Sequence, residues 1–230
     1  METQEGVKIN EKDTNETLNI SPNIISELAE ETKTRSVDNT GEFLVFIIDN
    51  GKEQVKVRVG IGHGFGVSYS PQQSVDNLRP FVSEGFKVVA DFHNHTPESV
   101  KVYGEVGMAS EFGFSPSMAD ISSDVPAKLK EEFGQDDYPH MIGVFANESV
   151  HINGFKYIRE PSKEEEAEIE FDDPFYVEQD ADEIGIKLLP SKYTKPNVLL
   201  DKGIITTVNI NTDLSDPSIK LNNPIIDKIV

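Results

Sequence analysis

Residues 88–99 read VVADFHNHTPES, an apolar run ending in two histidines one residue apart. The whole chain has five histidines, so this stretch concentrates them. Successive side chains on a strand point to opposite faces, so His93 and His95 point the same way. Two imidazoles on one face can converge on a single metal ion. Two neutral nitrogens alone hold Zn²⁺ poorly, and a catalytic zinc takes a third protein ligand plus a water. Cysteine is absent, so a carboxylate is the expected third ligand. The same absence excludes disulfides, thiolate metal sites and a cysteine nucleophile. The competing reading is a His-x-His pair that sits in a solvated loop at a strand end.

Two other places carry chemistry. Downstream, FSPSMADIS contains Ser117 and, three residues on, Asp120. A serine with an acid at that spacing is close to a capping box, in which both residues serve the helix start. The same placement pins Asp120 in a first helical turn, and a pinned carboxylate is what a third metal ligand requires. Upstream, Glu42 opens the apolar run EFLVFII. A glutamate at the head of a core strand is costly if buried and unpaired. Its alternative is an exposed residue at a strand end.

The elements that must position these residues follow from the pattern around them. SPNIISELAEETKTR reads as a helix, with Ser21 as cap, Pro22 in the first turn and Ile24, Ile25 and Leu28 on one face. Residues 42–48, the turn DNGK and the alternating Val55, Val57 and Val59 read as a hairpin. SPQQSVDNLRPFVSEG reads as a short helix opened by Ser70, ended near Gly85 and broken or kinked at Pro80. FKVVADFHNH reads as a strand buried on both faces, and residues 96–116 as an irregular loop. SMADISSDVPAKLKEEFG reads as helix in two pieces, interrupted at Pro126. HMIGVFAN and SVHINGFKYI read as two strands joined by a turn at Asn147–Glu148. Helices alternating with a hairpin and further strands predict an α/β or α+β domain, with a mixed sheet flanked by helices, over residues 21–158. Residues 1–20 are polar and read as a loose arm, and 159–230 as an acidic linker and C-terminal extension. Gly203–Ile210 is strand-like, and would add an edge strand or a small appendage.

Charge narrows the partners. The chain carries 21 Lys+Arg against 41 Asp+Glu, a net −20. Residues 160–183 hold twelve acids and one lysine, contributing −11 of that total. Such a surface repels nucleic acid and anionic membranes, while a basic protein partner for 160–183 is compatible with it. The first twenty residues lack the apolar core of a secretory signal, and no run approaches a spanning helix. The expectation is a soluble, cytoplasmic protein, with export by a signal-independent system left open.

In order, a strand-opening Glu, His-x-His and Ser-x-x-Asp resemble the JAMM (MPN-plus) zinc metalloprotease family, and most closely its divergent bacterial members. The matching residues are Glu42, His93, His95, Ser117 and Asp120. The resemblance covers about residues 20–158 and implies a JAMM/MPN-like, cytidine-deaminase-like core. It departs from the family in two places. The second histidine is followed by Thr-Pro, and 21 residues separate His95 from Ser117 where the family has a short gap. Residues 96–116 then read as an inserted loop beside a cleft.

The resemblance implies one Zn²⁺ held by His93, His95 and Asp120, with Glu42 as general acid–base and Ser117 as oxyanion donor. The implied reaction is hydrolysis of a peptide or isopeptide bond in a protein or peptide substrate. Two other functions fit the same residues: a metal-free MPN-like interaction scaffold, and a hydrolase of some other amide. His63, in GIGHGFG, reads as a loop residue; His140 and His151 read as structural or exposed. GIGHGFG lacks the Lys-Ser/Thr of a phosphate loop, and Ser70, Ser74 and Ser83 show no triad pattern.

Overall fold

The computed structural model describes residues 16–62, 70–95, 124–135, 137–159, 161–165, 170–172, 192–194 and 196–222. A short strand, β1 (Thr17–Asn19), precedes helix α1 (Pro22–Asp38). The hairpin follows as β2 (Phe43–Asp49) and β3 (Gln54–Ile61). Its turn is held by Asn50 Oδ1, which accepts the N–H groups of Lys52 and Glu53 at 2.9 and 3.0 Å. Gly51 supplies the positive φ of 80° that the turn needs. Helix α2 (Pro71–Ser83) leads into β4 (Lys87–His95), which carries both histidines at its end. Helix α3 (Asp124–Phe133) is followed by β5 (His140–Ala146) and β6 (Ser149–Tyr157). Asn147 and Glu148, at φ 50° and 61°, make the tight turn between them. A two-stranded pair, β7 (Glu170–Asp172) and β8 (Lys192–Thr194), precedes α4 (Pro196–Asp201), β9 (Ile205–Asn211) and β10 (Ile219–Leu221).

The main sheet has the order β1-β9-β6-β5-β4-β2-β3, with β10 paired in parallel to β6. It is mixed: β4 and β5 run parallel in the middle, and β2–β3, β2–β4, β5–β6 and β6–β9 are antiparallel. The fold is therefore α+β, a mixed sheet with helices on both faces. On one face Ile24, Ile25, Leu28 and Ala29 of α1 pack on Phe43, Val45, Ile47, Phe92 and Met141. The other face carries two apolar clusters. Val75, Leu78, Val125 and Leu129 of α2 and α3 cover Leu44, Phe46, Ile48 and Val57. Leu199, Ile204 and Ile205 cover Ile142, Val144 and Phe155. Strands covered on both sides need apolar residues at consecutive positions, which is why β2 reads FLVFII without alternation.

Several expectations change. The sheet takes in Thr17–Asn19 and Ile205–Asn211, so it runs past the boundaries that composition suggested at 21 and 158. Leu18 and Ile20 are buried, and β1 pairs in parallel with β9, so these residues are not part of a loose arm. Strand β9 is not an edge strand, because β1 lies outside it. Ser21 stands before α1 but makes no side-chain cap; its N–H donates to Gln54 Oε1 at 2.8 Å. Pro80 does not end α2, which continues to Ser83. A proline costs one interior hydrogen bond there. Burial of Val75 and Leu78 and the Ser70 cap on Gln73 offset it. Pro126 is the third residue of α3, in the first turn, where an N–H has no helical partner to lose. The 96–116 loop and the start of the helix expected from Ser117, residues 117–123, lie outside the described residues, and the rest of that helix is α3.

Candidate metal centre

Strand β4 delivers the two histidines as its alternation requires. His93 Nε2 and His95 Nε2 lie 3.1 Å apart, with ring centroids 5.0 Å apart. His93 is buried at 7% exposure and His95 is half-buried. Two nitrogens each 2.0–2.1 Å from one tetrahedral zinc are separated by roughly 3.3 Å. The pair thus fits two corners of such a site, with both rings presenting the same nitrogen. The distance is equally that of a hydrogen bond in which one Nε2 carries the proton.

Glu42 belongs to the same place. The antiparallel register sets Leu44 against His93. Carried two residues further, it sets Glu42 across from His95, on the face both rings share. Glu42 is buried at 6% exposure. This excludes the exposed strand-end glutamate considered from sequence. Its carbonyl accepts the Gly62 N–H at 2.7 Å, so its backbone is still held by the hairpin.

The β5 neighbours of the two histidines on this face are apolar. The parallel register places Ile142 beside His93 and Val144 beside His95, and both are buried. The histidines therefore lie along the seam between the α2–α3 cluster and the cluster built by Leu199, Ile204 and Ile205. Water-poor surroundings strengthen every charge interaction made there.

Asn94 and Asp91, not singled out from sequence, join the site, as does His151, which read as structural or exposed. Asn94, between the histidines, points to the opposite face. It is fully buried, and its Oδ1 accepts the Phe43 N–H at 2.8 Å. Asp91 lies two residues before His93 on the same face, and its Oδ2 is 2.8 Å from His140 Nδ1. Strand parity alone could have placed Asp91 beside His93. The His140 partnership needs the parallel pairing of β4 with β5, which no local pattern shows. His151 lies on the same face, beyond Val144 in the β5–β6 register. Burial pushes its imidazole below the ordinary value and the Lys220 charge adds to this, while a hydrogen bond with the Ala146 backbone opposes them.

Ser117, Asp120 and His63 lie outside the described residues. Among the described residues, no group of three His, Asp or Glu side chains is arranged to hold a metal ion. The two imidazoles brought together here are the part of the expected ligand set that the described residues contain.

No family model matches the chain, and no curated protein matches it. Among solved structures it is similar to the solution structure of protein DSY2949 from Desulfitobacterium hafniense. That likeness has 11% sequence identity and a TM-score of 0.38, covering 61% of this chain and 85% of that one. Among the described residues, no helix is long and apolar enough to cross a membrane.

Proposed function

We propose that the chain is a zinc-dependent hydrolase of peptide or isopeptide bonds, built on a JAMM-like core. The observation that carries this reading is the approach of His93 Nε2 to His95 Nε2 at 3.1 Å, with buried Glu42 across from them. His93 and His95 would hold the zinc through those nitrogens, with Asp120 as the third ligand. When bound, zinc lowers the pKa of a coordinated water to about 7 and polarises the carbonyl under attack.

The chain's own residues supply the rest. Glu42 takes a proton from the attacking water and passes it to the leaving amine. A carboxylate across the strand pair from the imidazoles has the reach for this without joining the ligand set. Ser117 donates a hydrogen bond to the oxyanion of the tetrahedral intermediate. Ile142, Val144 and Leu44 flank the imidazoles and keep bulk water from them.

Glu42→Gln tests the assignment. The variant should bind zinc as the unaltered chain does, yet lose hydrolysis of a peptide library and of isopeptide-linked protein dimers. Cleavage that persists at full rate in Glu42→Gln overturns the role of Glu42.

A second reading is a metal-free interaction scaffold. It is favoured by the fact that 3.1 Å is also a hydrogen-bond length, so the imidazoles can satisfy each other without an ion. The acidic 160–183 segment would then dock a basic partner. Zinc content separates the two readings.

A further inference from the structure

We infer that Asn94 is a positioning residue that holds Glu42 against the histidine pair; this rests on the hydrolase reading above. The paired ladder between β2 and β4 ends at Leu44 and His93. One residue further on, the Phe43 N–H goes to a side chain and not to a backbone carbonyl: Asn94 Oδ1 accepts it, beside Glu42, at 2.8 Å. One fully buried side chain therefore ties the backbone beside the candidate base to the backbone between the two candidate ligands.

The far side of this tie is clamped as well. The Phe43 ring is fully buried and lies under the guanidinium groups of Arg35 and Arg58, 5.3 and 5.1 Å from its centroid. Both arginines bond to Glu31 on α1. Burial raises the Glu31 pKa, but the hydrogen bonds from Arg58 and Arg35 outweigh it and hold the carboxyl below its ordinary value. The head of β2 is thus fixed from the helix side and from the histidine side at once.

Asn94 is also a poor choice for packing alone. Its Nδ2 is buried with no hydrogen-bond partner among the described residues. A buried donor left unmet destabilises, and an isosteric leucine would avoid that. The oxygen that reaches Phe43 is the feature leucine lacks, and it acts where Glu42 must be held.

The test uses the full chain, stripped of metal and loaded with Co²⁺, whose visible absorption reports its ligands. The readout is the pH midpoint at which that spectrum changes. Glu42→Gln should shift it, because Glu42 as general base would exchange a proton with a metal-held water. Asn94→Leu should keep Co²⁺ bound, shift the midpoint in the same direction and reach at least half the size. If Glu42→Gln shifts the midpoint and Asn94→Leu leaves it unchanged, the inference is overturned while the hydrolase reading stands. If the unaltered chain binds no Co²⁺, or Glu42→Gln changes nothing, the hydrolase reading fails and takes the inference with it. Should Asn94→Leu not fold, amide exchange in the unaltered chain decides. Slow exchange at Phe43, matching Leu44, supports the tie, and exchange at the rate of an open loop overturns it.

Discussion

Two imidazole nitrogens at 3.1 Å leave room for one proton or one metal ion between them, and not for a proton on each. His151 shows the opposite case, an imidazole that burial discourages from charging. Its folded pKa is depressed, so the unfolded chain binds its proton first as pH falls. Stability should therefore be unaffected by His151 above its ordinary pKa of about 6.5 and decline on acidification below it. His151→Gln should flatten that part of the curve, read from urea midpoints at pH 7.5, 6 and 5; an unchanged slope refutes the assignment. At this scale the sequence was legible where a period of two applies. His93 and His95 had to share a face, and Glu42 had to head a core strand. Asn94 escaped notice because parity turns it away from the histidines. Its value lies in a contact with Phe43, 51 residues away.

Gly143 on β5 leaves no room for a side chain. A Cβ there would stand 2.4 and 2.9 Å from the Phe92 ring and 3.2 Å from Thr32 Oγ1. Phe92 is fully buried against Phe43, so the ring cannot swing aside freely. Gly143→Ala should cost about 1–3 kcal/mol by overpacking, measured as a fall in the denaturant midpoint. A variant as stable as the original would show that α1 can lift away from the sheet. Because Asn94 pairs with Gly143, the same substitution should disturb the histidine strand. Hairpin, helices and the Asn147–Glu148 turn were readable from local pattern, since local propensity and tertiary packing agree there. The break expected at Pro80 does not occur, because burial of Val75 and Leu78 holds the helix through to Ser83. The glycine in HMIGVFAN gave no sign of its reason, which is a ring from the neighbouring strand.

The whole molecule does not divide where its composition does. Ile204 and Ile205 of the C-terminal extension cover Ile142 and Val144, the residues that flank the histidines. Strand β9 pairs with β6 and also carries β1. A chain ending at residue 158 should therefore lose its cooperative thermal transition and become open to proteolysis; a sharp transition near that of the full chain would contradict this. The acidic stretch is anchored at its start. Arg159 forms a two-pronged pair with Glu165 at 2.8 Å and donates to the Lys202 carbonyl. That pairing holds the Glu165 carboxyl down at about 2. Composition separates acidic from apolar segments but is blind to which apolar segment returns to the sheet.

The account turns on His93, His95 and Asp120 sharing one ion, and zinc binding by the purified full chain measures that most directly. The prediction is about one zinc per chain, lost in His93→Ala, His95→Ala and Asp120→Ala alike and retained in Glu42→Gln. No zinc in the unaltered chain, or zinc that survives Asp120→Ala undiminished, would contradict it.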